Sequence, residues 1–350
     1  MSGIVELRRE GLYCPAGDFY IDPSKRVPRA VITHAHGDHA RSGCGAYWGS
    51  AQGLGLLRER IGGGASIVGH DYGERFQLGR AEVSFHSAGH ILGSAQVRIE
   101  VDGEVAVVSG DYKRDDDPSC SPFESVPCDI FITEATFAAP KFVWPDPSAV
   151  AAEVYDWWQA CKRDGQTALL YCYALGKAQR VLAELARFTD ETVYVHRTMS
   201  RLIRLYRKAG ITMLPTEPVG SQRLGTDFRG RLVLAPPSES GTSWPRRFTP
   251  HCSGFVSGWN ADGGRSPRLR YDRGFTLSDH ADWPSLLRTI EESGARRVRI
   301  VHGDGTALIA HLRERGIDAA PLAGADPAPT LVADAPGAGS LTPTQEIEPC

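Results

Sequence analysis

The segment Thr33-His34-Ala35-His36-Gly37-Asp38-His39 carries four side chains of types that bind metal ions in proteins. His34 and His36 are two residues apart and can reach one ion, whereas Asp38 and His39 can point towards a second. Imidazole and carboxylate ligands together suit zinc, with manganese or iron as alternatives. The apolar run Ala30-Val31-Ile32 precedes the segment and predicts a buried strand. We therefore expect a metal site at the end of this strand.

Two later side chains, each beyond a predicted strand, could complete such a site. His90 follows Val83-Ser84-Phe85 and is flanked by glycines, which allow the backbone to approach closely. Asp111 follows the apolar run Glu104–Ser109 in a glycine-containing turn. A carboxylate in that position can bridge two cations. The sequence thus predicts His90 as a third histidine for the first ion and Asp111 as a shared ligand.

The pattern of apolar residues predicts the elements that must position these side chains. Asp102-Gly103 joins two alternating runs, Gln96–Val101 and Glu104–Ser109, which is a strong hairpin signal. From Ser148 onwards predicted helices alternate with predicted strands, a wiring that is typical of a parallel sheet. The helices are expected at about Ser148–Arg163, Gly176–Phe188 and Met199–Lys208, and the strands at Thr167–Cys172, Thr192–Val195 and Arg231–Leu234.

This change of pattern predicts a two-domain α/β protein. Residues 147–275 are expected to form a second domain, inserted into a first domain made of residues 1–146 and 276–323. The Ala/Pro/Gly-rich stretch 324–350 has too little apolar content to fold and is predicted to be disordered.

Charge and composition narrow the class of protein further. The net charge is −3, yet residues 147–275 hold 19 Lys and Arg against 11 Asp and Glu, which gives +8 and leaves −11 elsewhere. A basic segment of this kind suggests a polyanionic partner, with an arginine-rich solvated surface as the alternative. No apolar run approaches the ~20 residues of a membrane span, and the N-terminus lacks a signal-peptide pattern. The eight cysteines show no CxxC spacing, so we expect reduced thiols and a cytoplasmic, membrane-free location.

The order of these motifs resembles that of a known superfamily. The HxHxDH run resembles the first metal motif of the metallo-β-lactamase superfamily. With the later His90, Asp111, Glu134, His280 and His302, the chain resembles its β-CASP nuclease branch. More narrowly, four stretches resemble the bacterial DNA-ligase-associated exonucleases: 14–19, 87–96, 176–180 and 275–284. The resemblance implies a metallo-β-lactamase αββα sandwich with an inserted α/β β-CASP domain.

The resemblance also implies roles for individual residues. The first of two divalent ions, zinc or alternatively manganese, would be held by His34, His36, His90 and Asp111. The second would be held by Asp38, His39, Asp111 and His302. His280 would be the general acid and Glu134 the carboxylate that orients it, so the implied catalytic residues are Asp38, Glu134 and His280. Asp22 would support the ligand histidines from behind, with a simple turn before Pro23 as the alternative.

The implied activity is that of a two-metal phosphodiesterase, a DNA exonuclease in repair with a DNA ligase and a helicase as partners. An RNA-processing ribonuclease is the alternative. A histidine at position 302 resembles the RNA-processing members, but the ligase-associated family resembles them at this position too, so His302 does not distinguish DNA from RNA. A non-catalytic nucleic-acid-binding scaffold is an alternative of another class. Lys177, at a predicted helix start, is a candidate ligand for a terminal phosphate, or a lysine of a first helical turn.

Overall fold

A computed structural model describes residues 3–223, 225–262 and 271–322. Within these ranges the chain forms six α-helices and three β-sheets, so the predicted α/β class is confirmed. None of the described helices is long and apolar enough to cross a membrane. The predicted disordered stretch 324–350 lies outside the described residues.

The first sheet contains six strands in the order of the chain. Its first two pairings are antiparallel and its last three are parallel. The strands are β1 Glu6–Arg8, β2 Gly11–Cys14, β3 Phe19–Ile21, β4 Arg29–Val31, β5 Ala46–Ser50 and β6 Ile67–His70, and helix α1 Leu54–Ile61 lies between the last two.

The second sheet begins with five strands that follow the first sheet directly. These are β7 Arg75–Leu78, β8 Ala81–Ser87, β9 Ala95–Val101, β10 Glu104–Val108 and β11 Ile130–Ala135. The predicted hairpin joins β9 to β10, with Val101 opposite Glu104 and with Asp102 and Gly103 both at positive φ. The meander β7–β10 is antiparallel, whereas β11 pairs with β10 in parallel.

The third sheet is built entirely from residues between 167 and 275. Its strands are β12 Thr167–Tyr171, β13 Val193–Val195, β14 Thr216–Pro218, β15 Leu232–Ala235, β16 His251–Val256 and β17 Arg273–Phe275. The helices of this part of the chain are α2 Pro147–Arg163, α3 Lys177–Leu185 and α4 Arg197–Lys208. All pairings in the sheet are parallel, in the strand order β14-β13-β15-β12-β16-β17.

The chain then returns to the second sheet. The returning elements are α5 Trp283–Ser293, β18 Arg297–Gly303, α6 Thr306–Glu314 and β19 Asp318–Pro321. Strand β18 pairs in parallel with β11, the last strand before the third sheet. Residues 136–296 therefore connect two neighbouring strands of the second sheet, β11 and β18.

Apolar burial holds these layers together. One core lies between the first two sheets, where Phe19 and Val31 pack in the same cluster as Val97. The other face of the second sheet packs on α5 and α6, and the other face of the first sheet packs on α1 and on helices of the 147–275 segment. The first two sheets thus form the middle layers of an α/β/β/α arrangement, and the loops at one edge of both sheets carry the predicted ligands.

Candidate metal centre

The loop after β4 brings two of its histidines against His90. Nε2 of His34 lies 3.0 Å from Nδ1 of His36, and Nε2 of His90 lies 3.1 Å from the same nitrogen. Nitrogens about 2.0–2.1 Å from a tetrahedral zinc ion are about 3.3 Å from one another. The three ring nitrogens therefore converge as the ligands of one ion do, and both outer histidines, His34 and His90, are buried.

Asp111 completes this cluster and extends it. Its Oδ2 lies 3.5 Å from Nε2 of His34 and 3.7 Å from Nε2 of His90. Its Oδ1 lies 3.5 Å from Nε2 of His39. The turn that presents it requires Gly110, at φ +56°, because a Cβ there would lie 2.8 Å from Oγ1 of Thr33. One carboxylate thus faces two separate groups of histidines.

The second group is looser than the first. Nε2 of His39 lies 3.7 Å from Oδ2 of Asp38, and the rings of His39 and His302 have centroids 5.6 Å apart. His302 is exposed and adopts a positive φ of +54°, next to an irregularity in the β11–β18 pairing. His39 thus contacts Asp38, His302 and Oδ1 of Asp111, and it connects the second group to the shared carboxylate.

Each histidine has one ring nitrogen that faces away from the cluster, and the hydrogen bond of that nitrogen shows whether the other nitrogen is free to bind a metal. Nδ1 of His90 donates to the carbonyl of Asp279 at 2.6 Å, and Nε2 of His36 donates to the carbonyl of Leu175 at 3.2 Å. These bonds place the proton on the outer nitrogen and leave the inner nitrogen as an unprotonated donor, which is the form that binds metal. The donor set therefore fits a divalent ion such as zinc.

Asp22 supports both groups from behind. Its Oδ2 accepts from Nδ1 of His39 at 2.7 Å and from the Thr33 hydroxyl at 2.5 Å, while its Oδ1 accepts from the Thr33 amide. The Thr33 oxygen in turn lies 3.0 Å from Nδ1 of His34. A single carboxylate thus orients one histidine of each group, directly or through a hydroxyl. Thr33 is a functional residue that the sequence analysis missed, although its place beside the ligands was a signal.

Burial and neighbouring charges set the protonation of this cluster. Burial lowers the pKa of His34 and His90 well below the ordinary value, so both imidazoles are neutral. Burial acts against ionisation of Asp111, yet the charge of His39 holds the pKa of that carboxyl well below its usual range. The same pairing, together with Asp22, raises the pKa of His39 in spite of its burial.

His280 and Glu134 form a buried pair beside Asp111. Nδ1 of His280 lies 2.9 Å and 3.1 Å from the two oxygens of Glu134. Glu134 is fixed in turn by the amide of Tyr112 at 2.8 Å and by a short bond from the Thr136 hydroxyl. His280 does not cap the following helix, because Asp282 accepts from the amide of Ser285 and fills that role. The structure thus brings His280, Glu134 and Asp111 together.

Lys177 has the helix-start position that the sequence analysis expected. It begins α3, but its side chain is buried, and its Nζ donates to the carbonyl of Leu277 at 2.8 Å and lies 2.9 Å from Oδ1 of Asp279. Binding of a terminal phosphate by Lys177 stays a prediction, and such a phosphate would compete with the carboxylate of Asp279 for the charge of the lysine. Asp279, which the sequence analysis gave no role, is held by this lysine.

Comparisons with known proteins give the relatives of the chain. It is 32% identical over 317 residues to a protein named probable DNA ligase from Opitutus terrae, which covers 88% of this chain. It is 27% identical over 113 residues to an RNase J-like protein from Methanocaldococcus jannaschii, and 30% identical over 121 residues to endoribonuclease ysh-1 of Neurospora crassa. These two matches cover 32% and 34% of this chain.

The matched relatives are much longer than the matched region. The chain spans 30% of the Opitutus protein, 27% of the archaeal protein and 14% of the fungal protein. A crystal structure of a protein of unknown function from Enterococcus faecalis superposes with a TM-score of 0.54 at 11% identity, over 78% of this chain and 75% of that one, and so shares its fold. No profile of a protein family matches the chain. The relatives confirm that this chain resembles the β-CASP branch of the metallo-β-lactamase superfamily.

Proposed function

We propose that this protein is a divalent-metal-dependent phosphodiesterase that cleaves nucleic acid. The observation that carries the proposal is the position of Asp111, whose two oxygens face different histidine groups while the His280–Glu134 pair lies beside it. We assign His34, His36, His90 and Asp111 to a first ion. We assign Asp38, His39, Asp111 and His302 to a second. Zinc is the metal that the donor set favours, with manganese as the alternative.

The chain's own residues supply orientation and a proton. Divalent ions, when bound, supply Lewis acidity at the phosphate and lower the pKa of water towards neutrality. Asp22 and Thr33 keep the ligand histidines in place through the bonds described above. With Nδ1 of His280 engaged by Glu134, Nε2 is the nitrogen that donates a proton to the departing sugar oxygen. Such general acid catalysis is worth roughly 10²–10⁴ in rate.

The substrate we propose is DNA, degraded exonucleolytically in repair alongside a DNA ligase and a helicase. The supporting observation is that 88% of this chain matches part of a protein named probable DNA ligase. The RNase J-like and endoribonuclease relatives favour the alternative of an RNA-processing nuclease. A non-catalytic scaffold is disfavoured, because the ligand set and the His280–Glu134 pair are both complete.

The segment 147–275 supports a polyanionic substrate. We propose that it is an inserted domain and that residues 1–146 and 276–323 form the metal-binding domain. Helix α4 exposes Arg197, Arg201, Arg204, Arg207 and Lys208 and carries no acidic residue. Its buried Tyr206 accepts from the amide of Leu92, two residues after His90. Basic side chains therefore lie on a helix that contacts the metal-binding loop.

We also propose a cytoplasmic location. All seven cysteines of the described part of the chain are free thiols. Reduced cysteines are typical of a reducing compartment.

Matched end-labelled oligonucleotides test the function. Metal-loaded protein should degrade a DNA strand progressively from an end and should act more slowly on RNA of the same sequence. An Asp111→Asn variant is the control and should be inactive on both. Faster cutting of RNA would favour the ribonuclease, and efficient cutting of a closed circular single strand would contradict exonuclease action. If the metal-loaded wild-type protein cuts neither substrate, the proposed function is wrong, and the non-catalytic nucleic-acid-binding scaffold becomes the favoured alternative.

A further inference from the structure

The backbone immediately before His280 is clamped by two cations of helix α3. Lys177 donates to the carbonyl of Leu277 at 2.8 Å, and Nη1 of Arg180 donates to the carbonyl of Ser278 at 2.5 Å. Both cations also reach Oδ1 of Asp279, at 2.9 Å from Lys177 and 3.3 Å from Arg180. A helix of the 147–275 segment thus holds three consecutive residues that lead to the candidate general acid.

The clamp continues into the loop that follows Asp111. Nε of Arg180 lies 3.4 Å from Oδ2 of Asp117, and Lys113 makes a short bond to the same oxygen. The side chains of Lys113, Asp117, Lys177, Arg180 and Asp279 are all less than 10% exposed. Burying five charges is costly, and well-packed apolar residues often stabilise a fold as well or better. The burial of this network is therefore weak evidence of a role in stability, and its contacts point to a role in positioning.

That role is visible at the two ends of the clamped segment. The carbonyl of Asp279 accepts from Nδ1 of His90, a proposed ligand of the first ion. The next residue is His280, whose ring pairs with Glu134 and whose carbonyl accepts from the Trp144 indole at 2.8 Å. Displacing the segment would therefore move the general acid and would weaken an outer bond of the metal site.

We propose that Arg180 and Lys177 are positioning residues that place His280 at the departing oxygen. This inference rests on the proposed phosphodiesterase function. In that reaction a bond forms from a water oxygen to phosphorus, the bond from phosphorus to the sugar oxygen breaks, and His280 gives its proton to that oxygen. A residue that acts by placing His280 matters only when the departing oxygen needs the proton.

The leaving group provides the test. An Arg180→Met variant should cleave a DNA oligonucleotide roughly 10- to 100-fold more slowly than wild type, as is typical when a supporting partner is lost. With Zn²⁺ at a saturating concentration, which offsets any weakening of the metal site through His90, it should cleave a p-nitrophenyl ester of a nucleotide at nearly the wild-type rate, because p-nitrophenolate leaves without a proton. Arg180→Lys should recover part of the oligonucleotide rate. Arg187→Met is the matched control, since that arginine is exposed just beyond α3 and should be silent.

A second comparison separates positioning from general damage. In a His280→Ala background, Arg180→Met should cause little further loss on the oligonucleotide, because both changes remove the same proton transfer. Equal losses on both substrates, or a full additional loss in the His280→Ala background, would overturn the inference. If Arg180→Met does not fold, Lys177→Gln is put through the same comparison, with metal content as the check on the site. Failure of wild type on both substrates would instead overturn the proposed function and the inference with it.

Discussion

Asp111 links the two halves of the candidate metal centre. Its Oδ2 faces His34 and His90, whereas its Oδ1 faces His39. Removing this carboxylate would therefore affect both groups, whereas removing a histidine should affect only one. The structure makes the ligands separable by mutation.

His302 is the residue on which this separation is easiest to measure. It is exposed and lies on the His39 side, so His302→Ala should weaken binding of one ion and leave the other near normal. Calorimetric titration of the metal-free variant should show one tight site and one weakened site. His70→Ala is the control, because His70 bonds to Glu74 away from the cluster. Loss of both sites, or of neither, would show that His302 is wrongly assigned.

The proposed ligands could be picked out because they lie in short local motifs, whereas the hydrogen bonds that hold these side chains could not be predicted. His34, His36, Asp38 and His39 fall within six consecutive residues, and one strand end fixes them all. The bond from His90 to the Asp279 carbonyl joins residues 189 apart in the chain. The position of Lys177 at a helix start could likewise be predicted, whereas its pairing with Asp279 could not, because only the fold brings the two side chains together.

At the scale of elements, the helix after His280 depends on a single cap. Asp282 accepts from the Ser285 amide at 3.0 Å, and its other oxygen accepts from the Trp144 amide at 2.9 Å. Asp282 thereby joins the start of α5 to the backbone of Trp144. The indole of Trp144 in turn donates to the carbonyl of His280. The cap therefore stabilises the segment that carries the candidate general acid.

Asp282→Ala should lower the free energy of unfolding by about 1–3 kcal/mol, because it removes the cap and a second buried bond. Asp282→Asn keeps a side-chain oxygen and should recover much of that stability. Urea denaturation followed by circular dichroism measures both variants. An unchanged free energy in Asp282→Ala would mean that the helix start is held by other contacts.

Strands with clear alternation or apolar runs could be predicted, and strands defined by their neighbours could not. The predicted hairpin strands Gln96–Val101 and Glu104–Ser109 match β9 and β10 to within one residue, whereas β5 was missed because Ala46–Ser50 lacks alternation. It forms because β4 and β6 pair with it on both sides, as in a parallel sheet. Strand β16 was missed because Gly254 interrupts its apolar pattern. The structure explains this glycine, since a Cβ there would lie 2.9 Å from the side chain of Leu170.

At the scale of the whole molecule, the proposed function requires a surface that attracts a polyanion. Helix α4 exposes five cations, of which Arg201 pairs with Glu59, and its buried Tyr206 contacts the loop that carries His90. Phosphate contacts release counterions, so they are recognised by the salt dependence of binding. This dependence distinguishes a nucleic-acid track from an ordinary solvated helix face.

Arg204→Ala with Lys208→Ala should therefore reduce the slope of log affinity against log salt concentration. The reduction should be about 1.4–1.8, since each phosphate contact contributes about 0.7 on single strands and 0.9 on duplexes. Fluorescence anisotropy with a labelled DNA strand gives the slope. Arg229→Ala is the control, because this exposed arginine pairs with Asp227 elsewhere in the 147–275 segment. An unchanged slope would leave α4 as a solvated face.

The dinuclear centre itself is tested most directly by adding Zn²⁺ or Mn²⁺ in steps to the metal-free chain while cleavage of a labelled DNA oligonucleotide is followed. Seven proposed ligands, among them the shared Asp111, predict that the cleavage rate rises until close to two equivalents of metal per chain are bound. A rate that is already maximal at one equivalent would contradict the shared site. No cleavage at any ratio, with metal demonstrably bound, would contradict the phosphodiesterase itself.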